Sequence, residues 1–406
     1  MSSSFLDFSL LNEEQNNAIS MIRDWFTCAS IRPFFKLGGL AGCGKTFIIR
    51  YIMDVLKLNI YGDVAFCAFT GKASLVMIGK GLPATTIHKL IYDYEKDDET
   101  GKIKYTKRSA LPDYIKLIVV DEASMVSEKI HNDLMSFKIP ILYIGDYGQL
   151  ESIEMGLNLM DEDGLDVMLT EIQRNSGPIV KLAMDVRNGK RIKYGNLGDG
   201  VFKVRYKDLK GSSFKAADQI ICGMNKTRHK INDRVRGILG YSGLPMAGEK
   251  LIILKNNKNF DVINGQHIYL KEDMDNGILF SESRITDHLS DNLNESIDDI
   301  IDKIGKNEQI IDFLSYENLK NSMNATVPIS LREFKDVTVD KGNNEDMELV
   351  QADYGYCISC HKSQGSEFDK VLICDDGFLR WDEEQRTKWL YTAITRAKSK
   401  LIWSVM

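Results

Sequence analysis

Four apolar runs in the first 146 residues share one design, each leading into a small or polar residue: Phe34 to Leu37 into Gly38, Val64 to Phe69 into Thr70, Leu117 to Val120 into Asp121, and Ile141 to Ile144 into Gly145-Asp146. Such runs predict strands buried on both faces of a parallel sheet, whose ligands sit at the carboxyl ends of the strands. Four polar strand ends in a row therefore predict one crevice. Between the runs, Ile48, Ile52, Val55 and Leu56 recur at the spacing of a buried helix face. From Ile91 to Arg108 the pattern changes to alternation, with Tyr92 and Tyr94 before a polar Asp97-Asp98-Glu99-Thr100-Gly101 turn and Ile103 and Tyr105 after it, the signature of a β-hairpin. Its return side carries Lys102, Lys104, Lys107 and Arg108, which suits a solvated surface and a nucleic-acid wedge equally.

A second shift comes after Gly248. Leu251 to Leu254 predicts a short strand, and Phe260 to Tyr269 a hairpin turning on Asn264-Gly265. Leu289, Leu293, Ile297, Ile301 and Ile304 then have helical spacing, and the acids between them read as a solvated face rather than as metal ligands. From Tyr356 the α/β character returns, with a strand at Val371 to Cys374, a helix from Trp389 to Lys398 and a closing strand at Leu401 to Trp403. The pattern predicts an α/β lobe at 1–172 with a hairpin inserted at about 91–110. A second lobe, at 173–247 and 350–406, is interrupted by a small β domain with a helical segment at 248–349. A chain of 406 residues fits this division, because single cores stop growing near ~250–300 residues.

Composition narrows the class. With 43% hydrophobic and 27% charged residues, and no apolar run near the ~18–20 residues that span a bilayer, a soluble globular protein without a membrane partner is expected. Met1 to Leu10 lacks the basic start and apolar middle of a secretory signal. The expected compartment is the cytoplasm, or the host cytoplasm for a phage-encoded chain. Seven cysteines, odd in number and set in apolar segments, read as reduced core thiols. Cys357-Ile-Ser-Cys360-His361 has the spacing of a c-type haem attachment site, but it lies where an apolar strand runs into a polar loop. No second Cys/His pair stands nearby at zinc-ligand spacing. A net charge of −6 argues against coating duplex DNA, which depends on counterion release by a basic surface. A narrow strand-tracking channel remains compatible with it.

The candidate chemistry begins at Gly39-Leu-Ala-Gly42-Cys-Gly44-Lys45-Thr46, a full G-x-x-x-x-G-K-[ST] phosphate loop placed after a strand and before a helix. Its glycines let backbone N–H groups wrap phosphates, Lys45 brings a point charge to the terminal phosphates, and the Thr46 hydroxyl is set to ligate Mg²⁺. Asp121-Glu122 comes after Leu-Ile-Val-Val at a strand end. There Asp121 is expected to hold the metal through its water shell and Glu122 to orient or deprotonate the attacking water.

At this point the chain resembles the superfamily 1 helicases, specifically the 1B branch of RecD-like and phage Dda-type proteins. The resemblance spans nearly the whole sequence. It rests on Leu11-Asn12-Glu13-Glu14-Gln15, Ala68-Phe69-Thr70-Gly71-Lys72-Ala73, Thr85-Thr86-Ile87-His88, Asp121-Glu122-Ala123-Ser124 and Gly145-Asp146-Tyr147-Gly148-Gln149-Leu150. It continues through Gln173-Arg174, Asn225-Lys-Thr-Arg228, His361-Lys362-Ser363-Gln364-Gly365-Ser366-Glu367-Phe368 and Leu390-Tyr391-Thr392-Ala393-Ile394-Thr395-Arg396-Ala397. The resemblance implies two RecA-like lobes, a strand-separating pin in the slot of the hairpin with Tyr92, Tyr94 and Tyr105, and an SH3-like β domain. It further implies that Gln15 reads the adenine edge, that Gln149 senses the terminal phosphate, and that Arg174 and Arg396 neutralise charge on the transferred phosphoryl group. Gly365 and Glu367 match nucleotide contacts, while Thr70, Lys72, Thr86, His88, Ser359, His361 and Lys362 match contacts to the nucleic-acid backbone.

The expected activity is an ATP- and Mg²⁺-dependent helicase moving 5′→3′ on single-stranded DNA and opening duplex at junctions, with replication or recombination proteins as partners. Ser359 and Cys360 depart modestly from relatives that carry Thr there, which touches strand contacts and leaves the ATP site intact. The rivals are a translocase that displaces proteins without processive unwinding and a P-loop kinase of a small molecule. The kinase has no use for Gly145-Asp146-x-x-Gln149 or for paired arginines. A binding-only module is disfavoured because every expected catalytic position is filled, and a nuclease finds no separate acidic cluster.

Overall fold

The structure is a computed structural model that describes residues 6–96, 103–151, 159–171, 177–243, 245–254, 264–270, 279–282, 326–331, 350–377 and 382–406. The chain divides into two compact units, Met1–Ser176 and Gly177–Met406. Both are α/β, as the apolar runs predict. Among the described residues no helix is long and apolar enough to cross a membrane.

The first unit contains strands β1 (Phe34–Gly39), β2 (Val64–Ala68), β3 (Ala84–Thr86), β4 (Tyr92–Lys96), β5 (Ile103–Lys107), β6 (Leu117–Asp121), β7 (Ile141–Gly145) and β8 (Val167–Leu169). Its helices are α1 (Glu13–Thr27), α2 (Lys45–Leu56), α3 (Gly71–Gly79), α4 (Ile87–Ile91) and α5 (Glu128–Met135). Six of the strands form one sheet in the order β3-β2-β6-β7-β1-β8, and its described pairings are parallel. The four apolar runs form β1, β2, β6 and β7, and their inner residues Leu37, Phe66, Val119 and Ile144 are buried. Ile48 and Ile52 turn the buried face of α2 onto the sheet, with Val55 and Leu56 packed at its margin. The short strand β8 has no long apolar run of its own. It is held by Asp166, whose carboxylate accepts the Lys36 N–H at 2.7 Å and pairs with Arg32.

The alternating segment forms the hairpin β4–β5, paired from Tyr92↔Lys107 to Lys96↔Ile103. The turn proposed at Asp97 to Gly101 and the adjoining Lys102 lie outside the described residues.

The second unit contains β9 (Gly195–Gly198), β10 (Val201–Arg205), β11 (Gln219–Cys222), β12 (Lys250–Ile253), β13 (His267–Leu270), β14 (Leu279–Glu282), β15 (Thr326–Leu331), β16 (Val350–Tyr354), β17 (Cys357–Ser359), β18 (Phe368–Asp375) and β19 (Ala397–Val405). Its helices are α6 (Pro178–Arg187), α7 (Gly211–Lys215), α8 (Asn225–Leu239), α9 (Cys360–Ser363) and α10 (Glu383–Ile394). One sheet has the order β17-β11-β18-β19-β10-β9, and β12 to β16 close into a barrel. The barrel is joined to the sheet by buried polar contacts. Arg236 of α8 makes a two-pronged pair with Glu249 at 2.7 and 2.9 Å, Arg228 pairs with Asp353 at 3.0 Å, and Lys250 Nζ donates to the Asp218 carbonyl and Gln219 Oε1.

Two expectations shift. The helix predicted from Trp389 to Lys398 begins earlier, at Glu383, capped by Asp382, whose side chain accepts the Gln385 N–H. It ends at Ile394 because the Thr395 hydroxyl and Arg396 Nε both donate to the Thr392 carbonyl, after which Ala397 and Lys398 open β19. The strand placed at Leu251 to Leu254 runs from Lys250 to Ile253 and pairs with β13. The arm from Phe260 to Ile263 and the helical spacing from Leu289 to Ile304, with its acids, lie outside the described residues.

Candidate nucleotide and nucleic-acid sites

Strand order puts the motifs of the first unit into one row. Along the carboxyl rim come Thr86 at the end of β3, Thr70 after β2, Asp121-Glu122 at β6, Asp146 to Gln149 after β7, the phosphate loop after β1 and Thr170 after β8. Neighbouring strands are ~4.8 Å apart, so β2 and β1 are separated by three spacings, or about 14 Å.

The phosphate loop has the backbone its glycines permit. Gly42 and Gly44 have φ of 84° and 85°, a region costly for residues with a Cβ. A Cβ on Gly39 would lie 2.6 Å from Cys43 Sγ and 2.9 Å from Lys45 Cγ. The loop ends at the N-terminus of α2, where unpaired N–H groups and the helix dipole favour an anion. Lys45 Nζ donates to the Gly39 and Leu40 carbonyls at 2.7 and 3.0 Å, which holds its charge at the loop. Burial pushes the Cys43 thiol up, so it stays protonated.

Gln15 is buried, and its amide is engaged on both sides. Its Oε1 accepts the Asn12 N–H at 3.2 Å, half of a capping box, and its Nε2 donates to the Cys43 carbonyl at 3.1 Å. In this structure Gln15 ties α1 to the phosphate loop.

Asp121 ends β6, and its Oδ1 accepts the Glu122 N–H at 2.9 Å. Glu122 has φ of 53°, a conformation that costs a non-glycine residue of order 1 kcal/mol and recurs at functional sites. The buried Asp146 accepts the Gly148 N–H at 3.0 Å and turns the chain so that Gln149 faces inward. Gln149 Oε1 and Ser124 Oγ are buried and make no hydrogen bond among the described residues, the condition of groups that meet a ligand or water. No group of three or more His, Cys, Asp or Glu stands together among the described residues. Thr46 in the first turn of α2 and Asp121 at the end of β6 offer oxygen donors of the kind Mg²⁺ takes alongside water and phosphate oxygens.

Further along the rim, the hydroxyls of Thr70 and Thr86 cap α3 and α4, accepting from the Ala73 and Lys89 N–H groups at 3.2 Å each. Each hydroxyl keeps its proton for another acceptor. Exposed His88 lies 5.6 to 6.4 Å from the rings of Phe69, Tyr92 and Tyr105. Of the tyrosines named for the pin, Tyr92 is half-buried at the hairpin base and its hydroxyl donates to Asp133 of α5. Tyr105 is 58% exposed and stands opposite Tyr94 in the ladder. Lys72 comes just after the cap of α3, partly buried.

In the second unit the motif residues separate to two ends of the sheet. Ser359 ends β17 and caps α9, accepting the Lys362 N–H at 3.4 Å, so Ser359, His361 and Lys362 lie near the carboxyl end. Burial lowers the His361 pKa, which favours the neutral ring. Gly365, with φ of 71°, and Glu367 precede β18 at the amino end, where the pairing Phe368↔Ala397 brings Arg396 alongside. The Arg396 guanidinium is buried and donates to the Thr392 and Ser366 carbonyls and the Thr395 hydroxyl at 3.0, 3.2 and 3.0 Å. Arg174 and Gln173 lie outside the described residues. Cys357 and Cys360 are fully buried, with Cys360 Sγ donating to the Trp389 carbonyl, an arrangement with no room for haem attachment.

Residues 10–199 match a family described as AAA domain, and residues 354–403 match the UvrD-like helicase C-terminal domain. The chain is 29% identical over 199 residues to the ATP-dependent DNA helicase dda of Enterobacteria phage T4, covering 46% of this chain and 44% of that one. It is 26% identical over 195 residues to the ATP-dependent RecD2 DNA helicase of Deinococcus radiodurans, covering 46% of this chain and 25% of that one. The match thus spans less than half the length of either relative. In fold it is similar to the Pif1 helicase from Bacteroides in complex with ADP-AlF3 and ssDNA, with a TM-score of 0.54, 16% identity and 97% and 92% of the two chains covered. The Candida albicans Pif1 helicase has a TM-score of 0.51 at 16% identity, with 97% and 94% covered. In sequence the chain is thus similar to the dda and RecD2 helicases over about half of its length, and in fold to the Pif1 helicases.

Proposed function

We propose that the chain is an ATP-dependent DNA helicase that moves 5′→3′ on single-stranded DNA and opens duplex at single-strand junctions. The observation that carries this reading is the row of motifs along one sheet rim. A phosphate loop with Lys45 stands about three strands from hydroxyl-bearing helix caps suited to a backbone phosphate. The Asp121-Glu122 strand end lies between them and is in register with Ala68 of β2.

In this reading Lys45 and the loop N–H groups bind the phosphates of ATP, and Glu122 accepts a proton from the attacking water. Gln149 senses the terminal phosphate, and Arg174 and Arg396 neutralise charge on the transferred group. Thr46 and Asp121 would hold Mg²⁺, which supplies charge neutralisation on the phosphates when bound. Gly365 and Glu367 contact nucleotide, with Gln15 placing the loop toward the adenine. Thr70, Lys72, Thr86 and His88, with Ser359, His361 and Lys362, grip the strand without reading sequence. The separation of Gly365, Glu367 and Arg396 from Ser359 and His361 to opposite sheet ends supports two ligands with two roles. The hairpin is read as the wedge. A cytoplasmic site of action among replication or recombination proteins fits such a substrate.

The test is ATP turnover with and without single-stranded DNA, alongside unwinding of duplexes bearing a 5′ or a 3′ tail, with Lys45→Ala as control. Strong stimulation by DNA and unwinding from the 5′ tail alone is the expected result. Stimulation without unwinding would convert the reading to a translocase. DNA-independent turnover abolished by Lys45→Ala would overturn it in favour of a small-molecule kinase.

A further inference from the structure

The sheet of the second unit has β17 at one end of its strand order and β9 at the other. At β17 stand Ser359, His361 and Lys362, which the proposed function gives to the tracked strand. Around β9 the chain from Arg187 to Lys210 carries eight Lys or Arg against two Asp, in a protein whose net charge is −6. Five strand spacings, or about 24 Å, separate the two ends, so a ligand at β9 makes contacts of its own.

The cations near β9 gather round one ring. Tyr194 comes just before the strand and is 52% exposed. Lys203 Nζ and Arg205 Cζ lie 5.1 and 5.8 Å from its centroid, and the two side chains, two residues apart on β10, share one face of the sheet. Lys203 is itself fixed. Its Nζ donates to the Ile192 carbonyl at 3.0 Å and sits 3.9 Å from the ring centre of buried Trp403, its neighbour in register on β19. Burial lowers the pKa of this ammonium; Asp375 opposes the shift, and the Arg386 and Arg191 guanidiniums add to it. Asp375 is already engaged by Arg386 at 2.7 Å and by Trp403 Nε1 at 3.1 Å. Arg191, Lys193 and Arg205 are exposed, and a Cβ on Gly195, next to the tyrosine, would meet nothing within 4 Å.

A solvated charge run has no need of an aromatic ring held in place among its cations. Crowded positive groups repel one another, and an anion entering among them is favoured. The ring adds a flat apolar face to that demand. Single-stranded DNA meets both, because its bases stack on aromatic faces in any sequence while its phosphates meet cations. Duplex DNA keeps its base faces stacked inside, and an acidic peptide brings charge without a base.

We propose that the β9–β10 edge is a second contact for single-stranded DNA, in which Tyr194 stacks on a base and Arg191, Lys193 and Arg205 meet phosphates. The choice of strand rests on the DNA reading above; the contact lies apart from Ser359, His361 and Lys362.

The experiment measures binding of a fluorescent oligo(dT) across a series of salt concentrations. It compares wild type, Tyr194→Ala, Tyr194→Phe, and a chain combining Arg191→Ala, Lys193→Ala and Arg205→Ala. The same oligonucleotide carrying 5-iododeoxyuridine is crosslinked to wild type by ultraviolet light, and the attached residue is mapped. Tyr194→Ala is expected to lower affinity about tenfold, the scale of one base–aromatic stack, and Tyr194→Phe to keep it. The combined charge variant is expected to flatten the slope of log affinity against log salt by about 2, as loss of three phosphate contacts to a single strand does. A crosslink at Tyr194 is expected, with ATP turnover at saturating DNA unchanged in every variant. Wild-type affinity in Tyr194→Ala, or no crosslink at Tyr194, would overturn the contact. So would a loss confined to the charge variant, the behaviour of a bare surface for an acidic protein. A wild-type chain that binds no oligo(dT) would overturn the DNA reading itself, whereas one that binds it and hydrolyses ATP while Tyr194→Ala loses nothing overturns this edge alone.

Discussion

At the scale of single residues, the backbone of Glu122 says as much as its carboxylate. The other non-glycine residues with positive φ among those described are Lys57, which caps the end of α2, and Lys138, in the turn after α5. Glu122 instead sits between a strand end and a short helical turn, held there although a glycine would adopt the conformation with less strain. Two substitutions separate strain from chemistry. Glu122→Gln is expected to lower ATP turnover by about 10²-fold or more while nucleotide still binds, as loss of a general base does. Glu122→Gly should be as inactive but gain up to about 1 kcal/mol in chemical denaturation, since it relieves the backbone. A Glu122→Gln protein with normal turnover would remove Glu122 from the chemistry.

At the scale of elements, the hairpin is fixed at its base. Tyr92 donates to Asp133, and Lys107 on the opposite strand lies 3.6 Å from the same carboxylate and donates to Ser136 at 2.9 Å. Tyr92→Phe removes one of these anchors at a cost of about 1 kcal/mol. Unwinding of a 5′-tailed duplex is expected to slow severalfold with DNA-stimulated ATPase retained; equal loss of both would show that the hairpin does not act as a separate wedge. The barrel is anchored differently, by buried charge. Burial pushes the Lys250 ammonium down to about 8, opposed by Asp218, whereas an unfolded lysine titrates near ~10.4. Between those values the unfolded chain binds more protons, so stability contributed by this site rises with pH across the window. The stability of wild type relative to Lys250→Met, read from urea unfolding, should therefore climb from pH 7.5 to pH 9.5 by about 2 kcal/mol. A flat difference would place the lysine in water.

At the scale of the whole molecule, the residues assigned to the proposed reaction are divided between the two units. The first carries Lys45, Asp121, Glu122 and Gln149, while Arg396 belongs to the second and is held there by its own lobe's carbonyls. Arg396→Lys keeps a charge but has one point of attachment where the guanidinium has a fork. It should lose turnover by about 10²-fold or more with binding of a fluorescent ADP analogue intact. Weakened ADP binding of equal size would make Arg396 a ground-state contact instead.

Much of this was legible in sequence because it is written in short windows. A phosphate loop needs eight consecutive residues, a buried parallel strand needs four or five apolar ones, and an alternating pair around a polar turn is a hairpin whatever surrounds it. The apolar runs, the phosphate loop and the hairpin were therefore determined locally. Tertiary structure decided what depends on residues far apart in the chain. The strand order sets Asp121 between the phosphate loop and Thr70. The pairing of β18 with β19 brings Arg396 to Ser366 and away from Ser359. The reach of Glu14 to Thr170 spans 156 positions that no local pattern links. The haem-like spacing of Cys357 and Cys360 was already set aside in the sequence, and both thiols are buried in the fold. Spacing states which atoms a motif owns, but side-chain engagement depends on which distant backbone groups folding leaves within hydrogen-bonding reach.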